Sequence, residues 1–376
     1  MNKNINSVIE FMKARVIAFY LPQFHPTPNN DVWWGRGFTE WTNVGKAKPL
    51  FKGHYQPKVP ADLGYYDLRL PEVREAQAEL AKKAGIEGFC YYHYWFGDGR
   101  QELELPFNEV LKLGKPDFPF CLCWANESWH SKFWSKSGNS FSKQILVEQK
   151  YLGKEDNEKH FYKLLPAFKD KRYLKIDGKP IFMIYRPFDF IGIREFIQEW
   201  QRLAIENGLT GIYFIGQLGQ IKKNPSQIDI DSALSFGLDG INIVRLWSAS
   251  YRRNFCVKVY EKIISLVTGV PRGVLYKNVY HSFVGEEEYQ TNIYPTLIPN
   301  WDHTPRSGNA GYVLFNSSPK LFQKHVEEVL ERVECKPIED RIVFLKSWNE
   351  WGEGNYMEPD LRYGLEYIHA LRNAIL

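Results

Sequence analysis

The chain has 376 residues, 44% hydrophobic and 24% charged, a composition that excludes a disordered polypeptide and predicts a soluble globular one. Its 48 basic and 44 acidic residues leave a net charge of +4, spread along the chain, which argues against nucleic-acid binding. No run approaches the roughly 20 apolar residues of a membrane-spanning helix, so no transmembrane segment is expected.

At the N-terminus, MNKNINSVIEFMKAR holds no apolar stretch suited to a secretory signal. This predicts a cytoplasmic location, with peripheral contact to the inner membrane left open. Short apolar, β-branched and aromatic runs follow at 15–20, 86–94, 118–124, 180–185, 211–216, 240–244, 293–299 and 341–347. Runs of that kind predict strands buried on both faces. Amphipathic stretches between them predict helices at 71–84, 102–114, 155–168, 190–207, 222–236, 252–268, 319–334 and 362–375. Ser318 and Pro319 supply a cap and a first-turn proline for the seventh.

Eight alternations predict the α/β class and a (β/α)8 TIM barrel. The rival, an open doubly wound sheet, would often carry a glycine-rich phosphate turn after its first strand. Here that strand is followed by Leu-Pro-Gln-Phe-His. No repeat, linker or composition shift divides the chain, so 1–376 is expected to be a single catalytic domain. Its first connection, 21–70, is long and rich in aromatic residues, and is expected to form an active-site loop. Five cysteines show no metal-ligand spacing. Three of them lie in apolar runs, which predicts buried free thiols; neither a metal nor another cofactor is expected.

Ten of twelve tryptophans fall at or just beyond a predicted strand end, Trp200 and Trp247 being the exceptions. The strand ends read LPQFHPTPNNDVWWGRGFTEW, YYHYWFGDGR, CWANESWHSKFW, NWDHTPR and SWNEWGEG. In a barrel these ends build the active site. Aromatic faces beside Asn, Asp, Glu, His and Arg suit a carbohydrate, which offers C–H faces to stack on and hydroxyls that need directional partners. Simple core filling by the large aromatics is the competing explanation. The candidate substrate-binding residues are Tyr20, Gln23, His25, Trp34, Glu40, Trp41, His93, Trp95, Trp124, Asn126, Glu127, Trp129, Trp301, Asp302, Arg306, Trp348, Asn349 and Trp351.

Glu350 and Glu353 are the candidate catalytic pair. Glycosidic-bond chemistry needs an acid for the leaving oxygen and a second carboxylate as base or nucleophile. Positions i and i+3 on one helical turn bring two side chains together, and neighbouring carboxylates have separated pKa values. Two acids at a helix N-terminus, favoured there by the dipole, is the structural alternative.

The motifs AFYLPQFHPTPNNDVWWGRGFTEWTNV at 18–44, GFCYYHYWF at 88–96, CWANESW at 123–129 and SWNEWGEG at 347–354 carry a resemblance. In this order, over roughly residues 14–375, the chain resembles the WbsX-type proteins of bacterial O-antigen and capsule clusters, described as glycosyltransferases. These are similar to the endo-α-1,2-mannosidase and endo-mannanase glycoside hydrolases. The resemblance implies a (β/α)8 barrel without a metal requirement and an E-x-x-E pair at the last strand. It assigns to Glu350 the proton of the sugar's own 2-hydroxyl, giving an anhydro-sugar intermediate and retention, and to Glu353 protonation of the leaving group. The hydrolases tend to have histidine where this chain has Gly352.

The expected function is therefore formation or cleavage of a glycosidic bond in surface-polysaccharide biosynthesis. The substrate is an oligosaccharide or polysaccharide, with a lipid-linked or nucleotide-sugar donor left open. An endo-acting retaining hydrolase and a non-catalytic glycan-binding barrel are the alternatives.

Overall fold

The computed structural model describes residues 12–130, 144–219, 225–248 and 255–376. Eight parallel strands run in chain order: β1 (Arg15–Tyr20), β2 (Ile86–Trp95), β3 (Phe120–Trp124), β4 (Lys179–Ile184), β5 (Tyr213–Leu218), β6 (Gly240–Ile243), β7 (Ile293–Tyr294 and Thr296–Leu297) and β8 (Ile342–Leu345). Each pairs with its predecessor, and β8 returns to β1 with Val16 opposite Val343. The continuous apolar runs are explained by position: every residue of β3, β6 and β8 is buried, because the strands face the barrel interior on one side and helices on the other.

Closure depends on β7. Pro295 lacks an N–H and splits this strand, so its first half pairs with β6 and its second with β8. The Pro295 carbonyl still accepts the Phe344 N–H at 3.0 Å. The TIM barrel expected from the alternation is thus present.

Among the described residues one main helix follows each strand, beside shorter ones in the loops: α1 (Pro71–Ala84), α2 (Leu105–Leu113), α3 (Lys154–Phe168), α4 (Ile193–Glu206), α5 (Gln227–Leu234), α6 (Phe255–Thr268), α7 (Pro319–Val333) and α8 (Glu366–Ile375). The α7 cap is as expected, the Leu321 N–H donating to Ser318 Oγ. Three starts differ from the sequence expectation, one being α8, which a turn ending in left-handed Gly364 delays from 362 to Glu366. Gln101–Glu102 pairs back onto the end of β2 before α2 begins, and Gly192, left-handed at φ +85, delays α4. The predicted starts of α5 and α6, and Trp134, lie outside the described residues. Cys90, Cys121 and Cys123 are buried free thiols in β2 and β3, whereas Cys256 and Cys335 are exposed. Among the described residues no helix is long and apolar enough to cross a membrane.

The β6–β7 and β7–β8 connections share a small core of their own. Arg272–Leu275 pairs with Tyr312–Phe315, and Val274, Tyr276, Phe283, Ile298 and Leu314 pack beneath them. This lobe forms one shoulder of the barrel mouth.

Candidate active site

The carboxyl ends of the strands surround one cleft of about 1000 Å³. Tyr92 and Tyr94 come from β2, Asn126, Glu127 and Trp129 from beyond β3, and Tyr185, Arg186 and Asp189 from beyond β4. Trp247 follows β6, Trp301, His303 and Arg306 follow β7, and Lys346, Glu350 and Glu353 follow β8. The first connection adds Gln23, Asn30 and Trp34.

The turn after β8 explains the meeting of the two acids. Asn349–Glu350 pairs antiparallel with Asn355–Tyr356, and a 3-10 turn, Trp351–Glu353, joins them. Gly354 closes it at φ +55, a left-handed conformation that glycine adopts freely. One 3-10 turn places residues three apart on the same side.

Arg306 ties the pair together. Its Nη1 lies 2.5 Å from Glu353 Oε1 and 3.5 Å from Glu350 Oε1, so those oxygens are at most 6.0 Å apart. Its Nε donates to Glu40 Oε1 at 2.9 Å, and Glu40 is fully buried. Lys346 Nζ lies 3.3 Å from Glu350 Oε2 and sits over the Trp301 ring. His303 Nε2 is 3.6 Å from Glu353 Oε1. With all groups ionised, Glu40, Glu350 and Glu353 outnumber Arg306 and Lys346 by one charge. A single proton brings this buried set to neutrality, the state that burial favours.

Its location follows from the environment. Burial and the neighbouring Glu353 raise Glu350 above the ordinary carboxylate value, against Lys346 and Arg306. Burial would raise Glu353 too, but the close Arg306 and His303 hold it well below that range. Of the two carboxyls, Glu350 is therefore the one that holds a proton to higher pH. Burial, with Glu350 nearby, also raises Tyr92 and Tyr94, which keeps them as neutral O–H donors.

Of the predicted site residues, Gln23, Trp34, Asn126, Glu127, Trp129, Trp301, Arg306, Glu350 and Glu353 line the cleft. The rest lie off it, and strand parity explains several. Successive strand residues face opposite sides. On β2, Tyr92 and Tyr94 face the cleft, while His93 meets buried His160 at 2.8 Å and the Trp95 indole donates to Asp156. Tyr20 likewise points outward to Gln77 of α1, and the Trp124 indole donates to the Trp95 carbonyl. Trp348 is buried against Phe89. Asn349 exchanges two hydrogen bonds with the backbone of Leu21 and thereby clamps the start of the first connection. Trp41 and Trp351 pack on each other, and the Trp41 indole donates to the Tyr66 carbonyl. Asp302 accepts from Gln56 and Thr304 and meets His54 at 2.8 Å, holding two loops together. His25 is buried, and Glu40 acts on the site through Arg306.

Sequence reading missed Tyr92, Tyr94, Tyr185, Arg186, Trp247 and Lys346 at the cleft. Inner-face parity along β2 and β4 would have found the tyrosines. Among the described residues no cluster of His, Cys, Asp or Glu is arranged to hold a metal ion.

Beneath the turn, Glu358 pins the Trp351 indole at 2.6 Å, the Tyr66 hydroxyl at 2.9 Å and Gln77 at 2.6 Å. Burial outweighs these donors and raises its pKa to about 7. Unfolded, it titrates near the ordinary glutamate value, so only the folded state holds the proton across the interval between. Stability therefore falls as pH rises through that interval and levels off above it, a change of about 3 kcal/mol for the full window. Thermal melts from about pH 5 to about pH 8 are expected to show this decline, and Glu358→Gln should remove most of it. Equal slopes in the two proteins would contradict the assignment.

The family described as Glycosyltransferase WbsX matches residues 16–371. The chain belongs to the WbsX glycosyltransferase family. Within reach of this WbsX protein are two curated relatives, both named uncharacterized protein WxcX, from Xanthomonas campestris pv. campestris. The strain B100 protein is 32% identical over 369 residues, 97% of this chain and 50% of its own length. The protein of strain ATCC 33913 is 33% identical over 367 residues, again 97% and 50%. The chain thus spans about half the length of these relatives. Among solved structures, a glycoside hydrolase-like protein aligns with a TM-score of 0.59 and 16% identity, over 96% of this chain and 94% of that one. The GH99 endo-alpha-mannosidase from Bacteroides thetaiotaomicron aligns with a TM-score of 0.52 and 16% identity, over 96% and 95%. Membership thus places the chain in a family described as glycosyltransferases, and these solved structures share its barrel fold.

Proposed function

We propose that this chain forms or cleaves a glycosidic bond during assembly of a bacterial surface polysaccharide, with Glu350 and Glu353 as the reacting acid–base pair. The observation that carries the reading is Arg306, which bridges both acids within 6.0 Å of each other in an aromatic-lined cleft. Such a separation falls short of the roughly 6.5–9.5 Å between carboxyls in inverting sites, and it supports retention. The described residues work as one catalytic unit, with 21–70 as a wall of the site.

The pair carries one proton throughout. In the free cleft that proton sits on Glu350. A sugar whose 2-hydroxyl donates to Glu350 makes this carboxylate the anion and moves the proton to Glu353, beside the departing oxygen. Glu350 then takes the 2-hydroxyl proton as that oxygen attacks the anomeric carbon, and Glu353 protonates the leaving group. An incoming hydroxyl, from an acceptor glycan or water, reopens the ring as the protons return. Arg306 keeps its hold on Glu40 when its contact with Glu353 loosens, so the guanidinium does not drift. α-Mannosides, the substrate class named in the GH99 relative, are the first to try; lipid-linked glycans and nucleotide sugars are the candidate donors for transfer.

The test is the pH dependence of kcat/KM. The active form holds one proton on the pair, so activity should persist on the acid side, where Glu353 is still an anion, and fall on the alkaline side as the last proton leaves. The alkaline limb should lie above the ordinary glutamate range. Lys346 lowers the Glu350 pKa, so Lys346→Met should move that limb to higher pH. An unmoved or lowered limb would contradict the shared-proton assignment.

A further inference from the structure

Helix α6 (Phe255–Thr268) precedes the lobe that forms one shoulder of the cleft. On it Val259, Ile263, Leu266 and Val267 are 39%, 53%, 76% and 79% exposed, and Cys256 is exposed as well. At 100° per residue these five positions share an arc of about 100°. An apolar stripe of that width normally faces a core. Here it faces solvent, and from Lys262 to Thr268 all side chains except half-buried Ser265 are exposed. Among the described residues, the helix therefore stands on the surface as a convex ridge, without a protein groove around its apolar side.

The charge around it is equally uneven. Between 255 and 278 the sequence carries Lys258, Lys262, Arg272 and Lys277 against one acid, Glu261. That is a net +3 in 24 residues, where the whole chain carries +4. Arg272 lies four residues beyond the helix and lines the cleft together with Trp247. A convex apolar ridge with Lys262 along one edge and Arg272 just past its end, rather than a concave apolar groove, is what inserts at a lipid headgroup boundary: apolar residues enter the acyl edge and basic ones meet anionic headgroups.

We propose that α6 docks this protein peripherally on an anionic membrane surface and turns the Arg272 side of the cleft toward it. A glycan still joined to a lipid could then enter the cleft from that side without leaving the bilayer. The docking itself is independent of the chemistry of Glu350 and Glu353, because vesicle binding is read without turnover.

The experiment is co-sedimentation of the 376-residue chain with vesicles of phosphatidylcholine alone and of phosphatidylcholine mixed with phosphatidylglycerol. The wild type should sediment with the anionic vesicles, less with the neutral ones, and less again at about 1 M salt, where the Debye length shrinks to about 3 Å. The double substitution Leu266→Glu and Val267→Glu lies on exposed positions and should leave the melting temperature unchanged. It should weaken vesicle binding at least about tenfold, and Lys262→Glu should weaken it with the anionic vesicles alone. The proposal is overturned if the wild type stays in solution with anionic vesicles, or if the double variant binds them as the wild type does. It is also overturned if light scattering shows a dimer that the double variant breaks to monomers, since the stripe would then be a contact between copies.

Discussion

Glu353→Gln is expected to lower turnover by about 10²- to 10⁴-fold, the range lost when a positioned general acid is removed, with little change in affinity for the same glycan. The substitution keeps the shape of the side chain, and the buried charges tolerate it. Glu40, Glu350 and Glu353 exceed Arg306 and Lys346 by one charge, so removing an anion relieves the set rather than stranding a cation. Arg306 is then left with Glu40 and Glu350, and a melting temperature at or above the wild-type value is expected. Glu350→Gln should cost turnover on a similar scale, but for a different reason, and the leaving group separates the two. An aryl glycoside whose nitrophenolate departs without protonation should recover much of its rate in Glu353→Gln. It should not recover in Glu350→Gln, where the 2-hydroxyl has lost its base. Recovery in the second variant instead of the first would reverse the two roles, as the proton's resting place on Glu350 would then persist into the reaction. Full turnover in both variants would exclude the pair as the reacting acids, and glycan binding without turnover in the wild type would make the cleft a binding site and nothing more.

The barrel was legible because its strands are buried on both sides, so the sequence shows plain apolar runs whose spacing survives small errors at the ends. The seventh run also contained its own interruption, Pro295, but only the structure shows that the strand changes partner there. The site was legible at the level of loops and less so at the level of side chains. His93 and Trp95 are the chemically conspicuous residues of YYHYWF, yet they occupy the outward parity of β2, and the plainer Tyr92 and Tyr94 face the cleft. Tryptophans gather at the strand ends for two reasons at once. Trp34, Trp129 and Trp301 line the cleft, whereas Trp41 and Trp351 fill the wedge between the long first connection and the last turn and Trp348 packs on Phe89 of β2, places where their bulk is the useful property. Trp247, set apart in the sequence reading, lines the cleft because the β6 end extends past its last paired residue. Residue type alone does not separate these uses; facing does.

Gly352→Ala should be almost as damaging as loss of a catalytic acid, although the residue has no side chain to contribute. A Cβ at this position would fall 1.7 Å from Glu40 Oε1 and 3.0 Å from Arg306 Nε. Glu40 cannot step aside without loss, because its carboxylate accepts from Arg306 at 2.9 Å and from Asn43 at 3.3 Å, and it is fully buried. Alanine would therefore push Glu40 off Arg306, and Arg306 would no longer hold Glu353 and Glu350 in register. A misplacement of about 1 Å at reacting groups can cost about 10²-fold, and kcat/KM should fall by about that factor or more. Glu40→Gln removes the charge but leaves the shape, and should cost less. The hydrolases that this family resembles tend to have histidine at the position of Gly352; in this chain the Glu40 carboxylate occupies the adjoining space. Gly352→His alone should then be inactive. If Gly352→Ala retains wild-type kcat/KM, Glu40 does not position the pair through Arg306.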